Sequence, residues 1–150
     1  MKTKLRNVST ANYFVILASG SLVHWIIGDR TVFCPRVFLG NCTAIGVAAD
    51  KNNVSDSQMT ASSVYLQYYA YKGRLNGPLG WCQKYQHITY SDYLQIDMKR
   101  LCYVCAVSTQ GKKNGSWVTS YKLKFSTDGV TFTTYQENNA DKVWNKSLLF

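Results

Sequence analysis

The chain has 150 residues, 46% of them hydrophobic and 17% charged, which excludes a disordered polypeptide and leaves room for one domain with one core. Lys and Arg number 17 against 8 Asp and Glu, a net charge of +9. That balance leans toward anionic partners such as acidic lipid headgroups, sulfated glycans or nucleic acid, and fits equally a basic surface that merely keeps the chain soluble.

In chain order, Lys2, Lys4 and Arg6 stand before an apolar run from Tyr13 to Gly28, broken by Ser19, Gly20, Ser21 and His24. A cationic start followed by an apolar stretch reads as a secretory signal peptide, or as an N-terminal targeting or anchor segment if it stays uncleaved. The run is too short and too interrupted to be assigned as a membrane span. Residues 1–41 are therefore expected to be a targeting segment and 42–150 the folded domain. Ala18-Ser19-Gly20 offers the small residues a cleavage site requires. Five sequons, at Asn7, Asn41, Asn53, Asn114 and Asn145, favour an extracellular address, with Asn53, Asn114 and Asn145 as the expected glycan acceptors.

The five cysteines are Cys34, Cys42, Cys82, Cys102 and Cys105. An odd count in a secreted domain leaves one thiol unpaired or bridged to another chain. Cys82 could pair with Cys102 or with Cys105, and spacing does not choose between them.

Past residue 42 the periodicity is that of strands, with no helical repeat. Leu94, Ile96 and Met98 face one way and Gln95 and Asp97 the other. Leu101 to Val107 is apolar on both faces, as in a strand covered on both sides. Asn76-Gly77-Pro78 and Asn114-Gly115 mark loops. Thr119, Tyr121, Leu123 and Phe125 alternate with Ser120, Lys122 and Lys124, then Asp128-Gly129 predicts a tight hairpin turn, with Val130, Phe132 and Thr134 beginning the returning strand. These patterns predict an all-β domain.

Several blocks also carry a family resemblance, in the family's order: SDSQMTASS (Ser55 to Ser63), GRLNG (Gly73 to Gly77), GWCQKYQ (Gly80 to Gln86), YLQIDM (Tyr93 to Met98), VSTQGKK (Val107 to Lys113), then WVTSYKL, SxDGVxF and DKV at Asp141 to Val143. Together they resemble the discoidin domain, or coagulation factor V/VIII type C domain, from about Cys42 to Val143. The resemblance implies a jelly-roll β-sandwich of the galactose-binding-domain-like kind. The pattern is lost after Val143, so a domain truncated at its C-terminus is expected. Cys42 sits where the family's first cysteine lies, and the partner that cysteine normally has near the end of the domain is missing from this chain.

The resemblance also implies a ligand site on loops at one end of the sandwich. The first loop maps to Val64 to Arg74, where Tyr68 and Tyr69 are the expected tip, with Lys72 and Arg74 as cations for sulfate, carboxylate or phosphate. Alternate tyrosines there should face inward. Lys84 is expected at the same mouth. The second loop maps to Gly111 to Ser116 and offers Lys112, Lys113 and Asn114, where a glycan on Asn114 would forbid burial in a bilayer. Trp81 and Trp117 are expected to anchor the core.

Catalysis finds no constellation in the sequence. The two histidines, His24 and His87, lack partners of a known catalytic pattern. Cys102 and Cys105 have the spacing of a redox or zinc motif but lie in a strand pattern, without further ligands at suitable spacing. No cofactor or metal is expected, apart from a faint hint of structural calcium at Asp50 and Asp56. The expectation is a non-enzymatic extracellular adhesion module binding a glycan or a cell-surface or matrix protein. A peripheral phosphatidylserine binder and a truncated fragment without autonomous binding are the alternatives, and nucleic acid is not an expected partner.

Overall fold

The computed structural model describes residues 2–19, 26–27, 32–33, 54–85, 90–111 and 118–145. Ten strands follow in order: β1 (Lys2–Ser19), β2 (Ile26–Ile27), β3 (Val32–Phe33), β4 (Met59–Ala61), β5 (Asp92–Gln110), β6 (Ser120–Ser126), β7 (Thr133–Thr134), β8 (Gln136–Glu137), β9 (Ala140–Asp141) and β10 (Trp144–Asn145). Two short 3-10 turns, Asp56–Gln58 and Ala70–Gly73, are the only helical elements among the described residues. The strands pair antiparallel throughout, in the order β10-β6-β1-β5-β2, with β3 and β4 on β5, β7 on β6, and β8 with β9 apart. The all-β expectation holds.

The centre of the sheet is the segment whose sequence reads as targeting. β1 runs between β5 and β6, with Phe14 opposite Ile96 on one side and Phe125 on the other, and Ile16 opposite Leu94 and Leu123. All six side chains are buried in one core, which continues through Val54, Met59, Trp81 and Val104. Each such side chain contributes on the order of 1.5–3 kcal/mol by leaving water. An apolar run of this length satisfies a leader and a covered strand equally well, so composition does not distinguish them. Residues 34–53, with Cys34, Cys42 and Asn53, lie outside the described residues, as do Lys112, Lys113, Asn114 and Trp117.

Alternation governs β5 and β6 as the sequence predicts. Leu94, Ile96 and Met98 of β5 and Tyr121, Leu123 and Phe125 of β6 all point into the core. Between Asp97 and Cys102 the register with β1 breaks, because Ala11 pairs with Cys102 and Tyr13 already pairs with Asp97. Residues 98–101 therefore bulge against Asn12. Lys99 takes φ +56° at this bulge, its N–H donating to Asp97 Oδ1 at 2.7 Å. The neighbouring Asp97 carboxylate also raises the Lys99 ammonium pKa, first by hydrogen bond and then by charge. Leu101, expected at the start of a doubly covered strand, is instead exposed on the bulge.

The turn after β6 is wider than predicted. Asp128 Oδ1 accepts from the N–H groups of Val130 and Thr131 at 2.8 Å and from the Ser126 hydroxyl at 2.7 Å. These bonds, the Val130 N–H foremost and then the Ser126 hydroxyl, hold the Asp128 carboxyl well below the usual carboxylate range. Gly129 supplies the φ of +77°. A side chain there is barred twice, since a Cβ would also lie 2.9 Å from the Tyr13 ring. The returning strand begins at Thr133, paired with Phe125, and Val130 is 82% exposed. The Asp128 cage uses up the residues expected to start that strand.

Beside the turn, aromatic rings close the core. Trp144 stacks on Tyr121 at 5.4 Å and on Tyr135 at 5.5 Å, and Tyr135 meets Phe125 edge-on at 6.3 Å. The bridge from Cys82 that the sequence left possible is not made. Cys82 is a buried thiol turned toward the Gln83 carbonyl at 3.4 Å, in the segment that pairs with the first loop, whereas Cys102 lies on β5 and is held in a disulfide of its own.

Candidate functional site

The site is built on two adjoining stretches, residues 62–74 and 80–85. The Tyr65 N–H donates to the Cys82 carbonyl at 2.8 Å, and the Cys82 N–H donates to the Tyr68 carbonyl at 3.3 Å. Between them the chain turns on itself, Tyr68 N–H donating to the Tyr65 carbonyl at 3.1 Å, with Leu66 at φ +49°. Serines and an aspartate fasten this turn to the body. Ser62 and Ser63 both donate to Asp92 Oδ1, at 3.0 and 2.7 Å, and the Lys84 N–H donates to the Ser63 hydroxyl at 3.0 Å. Trp81 is fully buried in the core, as predicted, and its indole N–H donates to the Ser63 carbonyl at 2.8 Å, holding the loop from beneath.

On this platform the tyrosines divide. Tyr71 packs against the core, while Tyr69 is 49% exposed and stacks on it nearly parallel, ring centres 5.8 Å apart. Tyr65 is exposed, and Tyr68 is half-buried. Lys72 lies over the Tyr71 ring at 5.3 Å and Lys84 over the Tyr85 ring at 5.0 Å. The surface thus presents flat aromatic faces with ammonium groups beside them, a combination that attracts sulfate, carboxylate or phosphate and stacks on sugar rings or planar groups.

One expectation changes. Arg74 is not a ligand cation, because its guanidinium is buried, donating to the Val54 carbonyl at 2.8 Å and pairing with Asp56 at 2.7 Å. A cation consumed beneath the loop supports the loop and leaves little charge for a ligand. Asp56, one of the two carboxylates behind the calcium expectation, is the partner in that pair, and Asp50 lies outside the described residues. Two residues join the site that the sequence reading missed: Leu66, 71% exposed at the tip, and Tyr85, 52% exposed beside Lys84. Tyr85 was visible in the Gln83-Lys84-Tyr85 run, where aromatic and cation are adjacent. Of the other predicted residues, Tyr68, Tyr69, Lys72 and Lys84 lie on these two stretches, and Asn145 is exposed at the end of β10. Lys112, Lys113 and Asn114 lie outside the described residues.

The family model described as the F5/8 type C domain matches residues 58–148, which spans every part of this site from Ser62 to Tyr85. The chain belongs to this family. Among curated relatives, it is 34% identical to lactadherin of Mus musculus over 110 residues, covering 65% of this chain and 23% of that protein. It is 30% identical to neuropilin-2 of Homo sapiens over 108 residues, covering 67% of this chain and 11% of that one. Neuropilin-1 of Homo sapiens is 33% identical over 97 residues, 60% of this chain and 10% of the relative. The chain thus spans less than a quarter of the length of these relatives. Among solved structures none matches significantly.

Proposed function

We propose that this F5/8 type C domain is a non-enzymatic extracellular binding module, recognising an anionic glycan or glycoprotein of the cell surface or matrix through the loop that carries Tyr65, Leu66 and Tyr69 and through Lys84-Tyr85. The observation that carries the reading is the exposure of Tyr65, Tyr69 and Tyr85, with Lys72 over the Tyr71 ring and Lys84 over the Tyr85 ring, on a turn supported by buried Trp81 and Arg74. Exposed aromatics of this size on a firmly held turn give contact area at little entropic cost. A sulfated glycan such as heparin tests it. The double variant Lys72→Ala/Lys84→Ala should weaken binding at least about tenfold with an unchanged melt, and undiminished binding sinks the proposal.

One observation favours a second reading, a peripheral phosphatidylserine binder: Leu66 sits bare at the tip beside tyrosines suited to an interface. Vesicles containing phosphatidylserine separate the two. Pelleting that survives high salt and is lost in Leu66→Ser marks insertion, whereas pelleting abolished by salt marks surface attraction alone.

A further inference from the structure

The same eighteen residues, Lys2–Ser19, have the cationic start and apolar run of an export leader and form the central strand of the sheet. We infer that residues 2–19 are a permanent strand of the folded domain, and that the groove between β5 and β6 is a strand-binding site which they fill. The inference is independent of the proposed ligand.

A leader needs hydrophobicity and is indifferent to the order of its apolar residues; a central strand depends on order. β1 shows that dependence. Phe14 and Ile16 each complete a three-strand row, Ile96-Phe14-Phe125 and Leu94-Ile16-Leu123, in which every member is buried. Ala11, opposite Cys102, is fully buried, at a point where only a small side chain is present. The small residues that suit a cleavage site are themselves inside the ladder, Ala18 between Asp92 and Tyr121 and Ser19 opposite Ser120.

Removal of this segment would split the core rows and leave two facing strand edges, on β5 and β6, without partners in the groove. Unpaired edges of this kind recruit another strand. The groove therefore selects an extended segment with apolar residues at alternate positions, spaced as Phe14 and Ile16 are. In the intact chain its own N-terminal strand is that ligand, already linked and at high effective concentration.

Three measurements on the full chain test this. Peptide mapping of the protein recovered from expressing cells should find residues 2–19; a mature form beginning at or after Ser19 overturns the inference. Ala11→Leu lengthens the apolar run and would leave a leader intact, but overfills a closed site. It should lower the melting temperature by about 5 °C or prevent folding, and an unchanged melt overturns the inference. In the third, a protease site is placed within residues 20–25 and the folded protein is cut there. The N-terminal fragment should stay bound through size exclusion and leave only in denaturant; its release under native conditions refutes the strand-binding groove.

Discussion

Two groups of aromatic rings use the same chemistry to opposite ends. In one, Trp144, Tyr121, Tyr135 and Phe125 stack and meet edge-on inside the core, at the junction of β6 and β10. In the other, Tyr69 stacks on Tyr71 and Tyr85 lies under Lys84, facing solvent on a turn. Ring geometry is similar in both, so what separates them is support. The first group hangs on paired strands, whereas the second stands on a turn that buried groups hold from below. An aromatic cluster is thus read as structural or as available for binding from what its backbone is tied to, before any count of rings.

The largest test of this contrast is Trp144→Ala, which should cost about 3–5 kcal/mol by removing a ring that two others stack upon, measured by urea unfolding. A loss below about 1 kcal/mol would place this cluster with the surface group. Next, Arg74→Met should cost about 2–3 kcal/mol, because Asp56 and the Val54 carbonyl lose their buried partner. Its effect on ligand binding should follow the fraction folded and nothing more.

Acid provides the third test. Asp128 is held low by the Val130 N–H, the Ser126 hydroxyl and the Thr131 N–H, and Asp141 by Lys122 and then Gln136. A carboxyl whose folded pKa lies below its unfolded value adds stability that is present above about pH 4 and lost as pH falls through the folded value. The melting temperature should decline between about pH 4 and 2, and the decline should be shallower in Asp128→Ala. An equal acid slope in the variant would remove the turn from this account. Smallest in stability is Tyr69→Ala, expected within about 0.5 kcal/mol of the parent while weakening ligand binding about tenfold. A large stability loss there would erase the distinction between the two groups.

Alternation made β5 and β6 legible in the sequence, because a period of two is local and each strand carries its own evidence. β1 was not legible. Its apolar residues have no local signature that separates a leader from a covered strand, and its partners, Ile96 and Phe125 among them, lie far along the chain. The same limit divided the candidate loop from Val64 to Arg74. Tyr69 and Lys72 could be placed from the loop's own composition, but Arg74 could not, since its role depends on Asp56, 18 residues upstream. Charge announces a possible ligand contact, while burial is decided by what folds back over it. The wide turn after β6 failed for a different reason. Asp128-Gly129 is a sound hairpin signal, yet the Asp128 carboxylate collects donors from the residues beyond and so lengthens the loop.

The contact between Tyr13 and Gly129 bears on how the N-terminal strand finds its place. Side chains alternate along a strand, so sliding β1 two residues along β6 would keep inward residues inward, and the apolar pattern alone does not forbid it. Tyr13 pairs with Ser126 and lays its ring where residue 129 has only backbone. A slide would carry the ring off that spot and set Ala11 or Val15 opposite Ser126, leaving a gap beside the turn. The missing side chain at 129 works as a notch cut for one ring, and it gives the strand a single seat where a uniform edge would offer several.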